Sequence, residues 1–223
     1  MNPIRPPIGV AIAGLGFGES VHLPALKANP DLQPVALWHP RRERLEKASN
    51  QHELIGYSDW SALLTDPKIE AVILATPPGP RFELALEALK AGKHLLLEKP
   101  VALHADQVAE LQRLAIKQRL SVAVDFEYRA VPLFMQAKRL LDQGIVGTPW
   151  LVKLDWLMSS RANASRPWNW YSQSEAGGGV IGALGTHAID MLHWLCGPTR
   201  QVSALLSTSI QTRPDPISGE LRD

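Results

Sequence analysis

At 223 residues, with hydrophobic residues at 45% and charged residues at 20%, the chain has room for one large domain or one domain and part of another, and its composition excludes a disordered chain. Lysine and arginine total 23 against 22 aspartates and glutamates, a net charge of +1, and no basic run offers the surface that nucleic acid needs. Cys196 is the only cysteine, which excludes an intrachain disulfide and a paired-cysteine zinc site; no metal is expected, and a reducing compartment fits.

From Met1 to Pro7 the chain carries Arg5 and then runs directly into a short apolar stretch ending at Gly14, which reads as a first strand rather than a signal peptide. No window reaches the roughly 20 apolar residues needed to cross a bilayer, so a cytoplasmic protein with no membrane partner is expected. The first half then alternates short β-branched runs with stretches of helical period, the pattern of βαβ units building a parallel sheet. The expected strands are Ile8 to Ala13, Val35 to Trp38, Ala71 to Ala75, His94 to Leu97 and Ser121 to Asp125. Ser58-Asp59 reads as a helix N-cap before Trp60 to Leu64. Phe82 to Ala91 forms a helix with Leu84, Leu86 and Leu89 near one stripe and Gly92 as its C′ glycine. Ala105 to Arg119 is an amphipathic helix carrying Val108, Leu111, Leu114 and Ala115 inward.

From about Thr148 the texture changes, and five of the seven tryptophans lie at or beyond Trp150. Trp150 to Trp156 alternates as an antiparallel strand would, Gly185 to Leu195 reads as a helix behind Gly177 to Gly179, and Gln201 to Thr212 reads as another strand. The expected fold class is therefore α/β, a doubly wound parallel Rossmann sheet over residues 1–125, followed over residues 126–223 by part of an α+β, mainly antiparallel, second domain.

Gly14-Leu15-Gly16-Phe17-Gly18 follows the first strand and opens a helix, the context in which glycines let the backbone approach a pyrophosphate that rests on free N–H groups. The third glycine of the usual GxGxxG spacing would fall where Glu19 stands. At the end of the second strand an acidic residue would hold the adenosine ribose of NAD, but here Trp38-His39-Pro40-Arg41-Arg42 has no carboxylate before Glu43. His39, Arg41 and Arg42 suit the 2′-phosphate of NADP(H), which is favoured, with NAD(H) possible; the alternative is that the arginines are the solvated start of a helix.

The ordered set of Gly14 to Gly18 with His22-Leu23-Pro24-Ala25, Ala75-Thr76-Pro77-Pro78, Ala91-Gly92-Lys93-His94, Glu98-Lys99-Pro100, Phe126-Glu127-Tyr128-Arg129, Gly177 to Gly179 and Gly185-Thr186-His187-Ala188-Ile189-Asp190 resembles the Gfo/Idh/MocA family of oxidoreductases. The resemblance implies hydride transfer between a nicotinamide and a sugar, polyol or related hydroxyl or carbonyl compound. It implies that Gly14, Gly16, Phe17, Gly18, Thr76, Pro77, Pro78 and Glu98 line the cofactor site. Lys99 would lie beside the nicotinamide and bind or polarise the substrate oxygen, and His187 would handle the hydroxyl proton. Tyr128, Arg129 and Asp190 would reach the substrate; Trp168 could stack on a sugar ring or pack at the domain joint. The small-molecule substrate is the expected partner, with a homo-oligomer possible through the second-domain sheet.

Two departures from the family pattern stand out. An aspartate usually precedes the histidine by four residues, and here that position is Ala183, so the proton relay is weakened or redesigned. Family members also commonly continue for on the order of a hundred residues more, so the second domain reads as unfinished. A non-catalytic protein that senses a dinucleotide or sugar with the same fold is the competing expectation.

Overall fold

The computed structural model describes residues 6–159 and 161–223; the reading of Arg5 near the start of the chain lies outside them. They divide into two units, one ending at Asp125 and one running from Phe126 to Asp223.

The first unit is built on β1 (Ile8–Ala13), β2 (Leu32–Trp38), β3 (Ile55–Tyr57), β4 (Ala71–Leu74), β5 (His94–Leu97) and β6 (Val122–Val124). These form one sheet in the order β3-β2-β1-β4-β5-β6 with every pair parallel, a doubly wound Rossmann order that reverses between β1 and β4. Parallel strands need crossovers, and the helices supply them: α1 (Leu23–Lys27), entered through a π-helical turn at Gly18–His22, then α2 (Arg42–His52), α3 (Trp60–Thr65), α4 (Pro78–Lys90) and α5 (Ala105–Gln118).

Side chains alternate across β1, so the strand is buried on both faces. Val10 and Ile12 join Leu23, Leu26, Leu37, Leu45 and Ile73 on one side of the sheet. Ala11 and Ala13 join Val72, Leu74, Phe82, Leu89, Leu97 and Leu111 on the other. Each fully buried leucine or isoleucine contributes roughly 1.5–3 kcal/mol, which is how the sheet holds its ends in place.

Local signals account for the helix boundaries. Asp59 Oδ1 accepts from the Ser61 N–H at 2.9 Å and caps α3. Pro78 opens α4, and Gly92, at φ +77°, follows its end. The buried stripe of α4 is Phe82, Ala85, Ala88 and Leu89, while Leu84 and Leu86 are only partly buried, because the helix begins four residues before the expected Phe82 and includes Ala85 and Ala88 on its core side. On α5, Leu111 and Ala115 are buried as expected, but Val108 is 39% exposed.

The second unit contains a 3-10 turn (Glu127–Ala130), α6 (Pro132–Asp142), a π-helical turn (Ile181–Gly185) continuing into α7 (Thr186–Cys196), and the short antiparallel pair β7 (Arg213–Pro214) and β8 (Leu221–Arg222). The strands expected at Trp150 to Trp156 and Gln201 to Thr212 do not form. Alternation supplies a strand's faces but not its hydrogen-bonding neighbours, and among the described residues neither segment has a partner for a ladder. Trp150, Leu157 and Leu205 are correspondingly more than nine-tenths exposed. Among the described residues no helix is long and apolar enough to cross a membrane.

Candidate functional site

The carboxyl ends of the six strands come side by side because the ladder continues one bond past five of them, β1, β2, β4, β5 and β6. The N–H of Gly14 donates to Trp38 O at 3.1 Å, that of His39 to Tyr57 O at 3.3 Å and that of Ala75 to Ala13 O at 2.8 Å. Those of Glu98 and Asp125 donate to Leu74 O at 3.0 Å and Leu97 O at 2.8 Å. The residues that the sequence singles out in the first unit therefore share one edge of the sheet, where open α/β folds bind ligands.

The glycines of the first turn do three different things. Gly14 has φ +106°, and a Cβ there would stand 2.6 Å from the Ala75 carbonyl oxygen, so only glycine makes this turn. A Cβ on Gly18 would stand 2.7 Å from Ile12 Cγ2 and 3.2 Å from Ala75 Cβ, so this glycine lets the helix lie against the sheet. A Cβ on Gly16 would meet nothing within 4 Å; the space beside its backbone is open. The first two match the tight turn and the close packing of a dinucleotide fingerprint, with the packing role moved one residue earlier, and the open space lies where such a fingerprint would admit a phosphate. Glu19, at the usual third position, turns to α2, where His52 Nε2 lies 3.0 Å from its carboxylate. Phe17 is 45% exposed, its ring edge-on to His22 at 5.4 Å.

At the end of β2, Arg41 and Arg42 are exposed, but His39 is buried. Burial, aided by the charges of Arg44 and Arg41, holds the His39 imidazole below its ordinary pKa, and its Nδ1 accepts the Arg41 N–H at 3.0 Å. The expectation that His39 joins Arg41 and Arg42 at a phosphate therefore meets an imidazole whose basicity burial lowers and whose Nδ1 is already taken by a backbone N–H. Arg44, which sequence reasoning missed, reaches back from α2 and donates to Leu15 O at 2.7 Å, which sets a guanidinium against the glycine turn.

On the other side of the reversal, Thr76 and Pro78 are buried and Pro77 is exposed. Thr76 Oγ1 is a buried hydroxyl with no hydrogen-bond partner among the described residues, a polar atom left for a ligand. Arg81, also missed, is 2% exposed on the first turn of α4 and donates to the carbonyls of Thr76, Glu98 and Pro100, tying together the two loops that carry Thr76 and Lys99. Lys99 is half-buried, and the peptide that joins it to Pro100 is cis.

Glu98 does not face outward as one half of a surface ion pair. It is 8% exposed and its Oε1 lies 2.9 Å from His22 Nε2, which is 3.7 Å from Asp125 Oδ2. Burial alone would raise the Glu98 carboxyl, but the His22 hydrogen bond and the charges of His22, Lys99 and Arg81 bring it below its ordinary pKa. Asp125, desolvated and facing the negative Glu98, is pushed up. His22 and Asp125 were not among the expected site residues; His22 stood in the quoted motif, but its partner is 76 residues away.

In the second unit, His187 is 3% exposed at the start of α7. Its ring is enclosed by Tyr128, Phe126 and Trp156 at centroid distances of 4.9, 5.8 and 6.2 Å, and its Nε2 lies 3.7 Å from Glu127 Oε1. Arg129 grips Asp190 through two hydrogen bonds of 2.8 and 2.6 Å, so these two expected substrate residues are joined to each other and lock the 3-10 turn to α7. The Trp168 ring lies under the Arg222 guanidinium at 3.9 Å, and the Trp168 backbone N–H donates to Pro214 O at 2.8 Å, which makes it part of the packing around β7.

The model of an oxidoreductase family with an NAD-binding Rossmann fold matches residues 8–126, and that of the GFO/IDH/MocA C-terminal domain matches residues 134–221. An uncharacterized oxidoreductase of Synechocystis sp. is 44% identical over 213 residues, which are 95% of this chain and 57% of the relative. Levoglucosan dehydrogenase of Pseudarthrobacter phenanthrenivorans is 31% identical over 93% of this chain and 56% of its own length. A solved levoglucosan dehydrogenase in complex with NADH and L-sorbose superimposes with a TM-score of 0.84 at 28% identity, over 95% of this chain and 59% of that one. The chain thus spans a little over half the length of these relatives.

Proposed function

The chain belongs to the Gfo/Idh/MocA family of NAD-binding oxidoreductases, and on that footing we propose that it is a dehydrogenase or reductase that moves hydride between a nicotinamide, NADP(H) in preference to NAD(H), and a sugar, polyol or related hydroxyl or carbonyl compound. The observation that carries the reading is the division of labour in the glycine turn: two positions where a side chain would collide, and between them Gly16 with open space beside its backbone. The orphaned Thr76 hydroxyl across the sheet reversal supports it. The preference for NADP(H) rests on the exposed Arg41 and Arg42 after β2, where no carboxylate stands before Glu43.

When bound, the nicotinamide supplies the hydride chemistry. The protein's part is orientation. The glycine turn, with Arg44 fastened across it, holds the dinucleotide's phosphates, and Arg81 fixes the loops that present Thr76 and Lys99. Lys99 binds the substrate oxygen through its ammonium, and His187 carries the hydroxyl proton, the roles that the family likeness assigns them. The substrate unit, the oligomeric partner and the cytoplasmic setting belong to the same reading.

Ala183 favours a second reading, in which the protein binds its dinucleotide and a sugar without turning them over. Turnover separates the two. With levoglucosan, L-sorbose, D-xylose and myo-inositol as substrates and NADP+ or NAD+ as oxidant or NADPH or NADH as reductant, the proposal expects nicotinamide absorbance to change with at least one pair. Dinucleotide binding with no absorbance change for any pair would establish the sensor instead.

A further inference from the structure

His187 is an imidazole shut into an aromatic box, and a group that picks up a proton there must return it to water. Phe126, Tyr128 and Trp156 close three directions. On the Nε2 side, 3.7 Å away, stands the carboxylate of Glu127, whose side chain is 43% exposed while that of His187 is 3% exposed. Glu127 therefore touches both the buried ring and the solvent. The spacing is held by structure: Glu127 opens the 3-10 turn, Arg129 of the same turn is forked onto Asp190, and Asp190 sits on α7 three residues beyond His187.

We propose that Glu127 is the proton relay of His187, standing in for the aspartate that Ala183 lacks. This rests on the dehydrogenase reading. In the oxidation direction, a bound nicotinamide would take the hydride that leaves the substrate C–H bond with its electron pair, the hydroxyl proton passes to the His187 ring, and the ring releases a proton from Nε2 through Glu127 to water. The substrate loses one hydride and one proton, the cofactor gains the hydride, and solvent gains the proton. Reduction runs the same path backwards. A separation of 3.7 Å is longer than a hydrogen bond, as proton-transfer pairs commonly are before substrate arrives. Glu127 acts through His187, so it is a positioning and relay residue. Tyr128, from the same turn, stands edge-on to the ring at 4.9 Å, and the charged Arg129–Asp190 pair joins that turn to α7; Phe126 and Trp156 are uncharged.

The test is Glu127→Gln, which keeps the shape and removes the charge, alongside Glu127→Asp, both in the full chain. The first readout is the His187 imidazole titration followed by nitrogen-15 NMR without substrate. Loss of a carboxylate at this distance should lower its midpoint by about one pH unit, and Glu127→Asp should restore most of it. The second is the pH dependence of turnover with whichever compound of the panel the wild type uses. Glu127→Gln should lower kcat about tenfold or more, with the KM for dinucleotide unchanged. A midpoint and a kcat that both stay at the wild-type values would overturn the relay while leaving the dehydrogenase standing. Absence of any turnover by the wild type would sink the dehydrogenase reading and the relay with it, whatever the titration shows.

Discussion

Replacing Gly14 and Gly16 separately by alanine should separate folding from cofactor binding within a single turn. At Gly14 an alanine is held at φ +106°, outside the regions that L-residues adopt, and its Cβ meets backbone, the Ala75 carbonyl oxygen at 2.6 Å and the Thr76 nitrogen at 3.0 Å. A left-handed conformation costs about 1–2 kcal/mol and forced overpacking about 1–3 kcal/mol more. The sum, on the order of 3 kcal/mol, is a large share of a stability of about 5–15 kcal/mol and should lower the Tm of a unit this size by roughly 10 °C. Gly16→Ala meets nothing within 4 Å, so its stability should stay within about 0.5 kcal/mol of the wild type. Its methyl group would enter the open space where the proposal seats the pyrophosphate, so affinity for NADPH should fall about tenfold or more. Urea unfolding of each variant, paired with calorimetric titration, reads both quantities. If Gly16→Ala bound NADPH like the wild type, or if the two variants lost stability equally, the cradle as described would be wrong.

Arg81→Met removes the guanidinium that satisfies three carbonyls and should destabilise the first unit by about 3 kcal/mol or more, seen as a lower urea midpoint; an unchanged midpoint would show that the clamp is ornamental. Asp125→Asn tests the pair of the buried Glu98 and the half-buried Asp125 by its sign. The Asp125 carboxyl is raised in the folded state, so its ionisation costs stability progressively as pH rises from the ordinary carboxylate range through the raised value, and the cost is complete above it. Asparagine removes that cost, so Tm at pH 7 should rise by roughly 2–4 °C, and the gain should vanish below about pH 4, where Asp125 is protonated in both states. Glu98 runs the opposite way: lowered in the fold, it contributes stability above the ordinary range that is lost as pH falls through its folded value.

How much of this was legible in the residues depends on whether the signal was local. β1 and β5 fall where the sequence places them, because short apolar runs between turn residues need no distant information. β3 escaped notice because it is three residues long with Gly56 at its centre, and β2 starts earlier than expected because Pro34 sits inside it. The second-unit strands were read from alternation alone, which says nothing about whether a neighbour is at hand. The glycine turn was legible as a motif, but only the collisions at Gly14 and Gly18 and the open space at Gly16 tell which glycine does what. Arg81 was illegible: an arginine among prolines carries no local meaning, and two of the carbonyls that it binds are 17 and 19 residues away. For His39 the residue type gives the ring, but not the burial at the end of β2 that lowers its pKa.

The most direct test of the central claim, that the first unit holds a nicotinamide dinucleotide on its glycine turn, is calorimetric titration of the purified chain with NADPH and, separately, with NADH. Saturable binding of both, tighter for NADPH, with the difference abolished when Arg41 and Arg42 are both changed to alanine, is the expected result. Binding of neither would contradict the account, whatever the fold resembles.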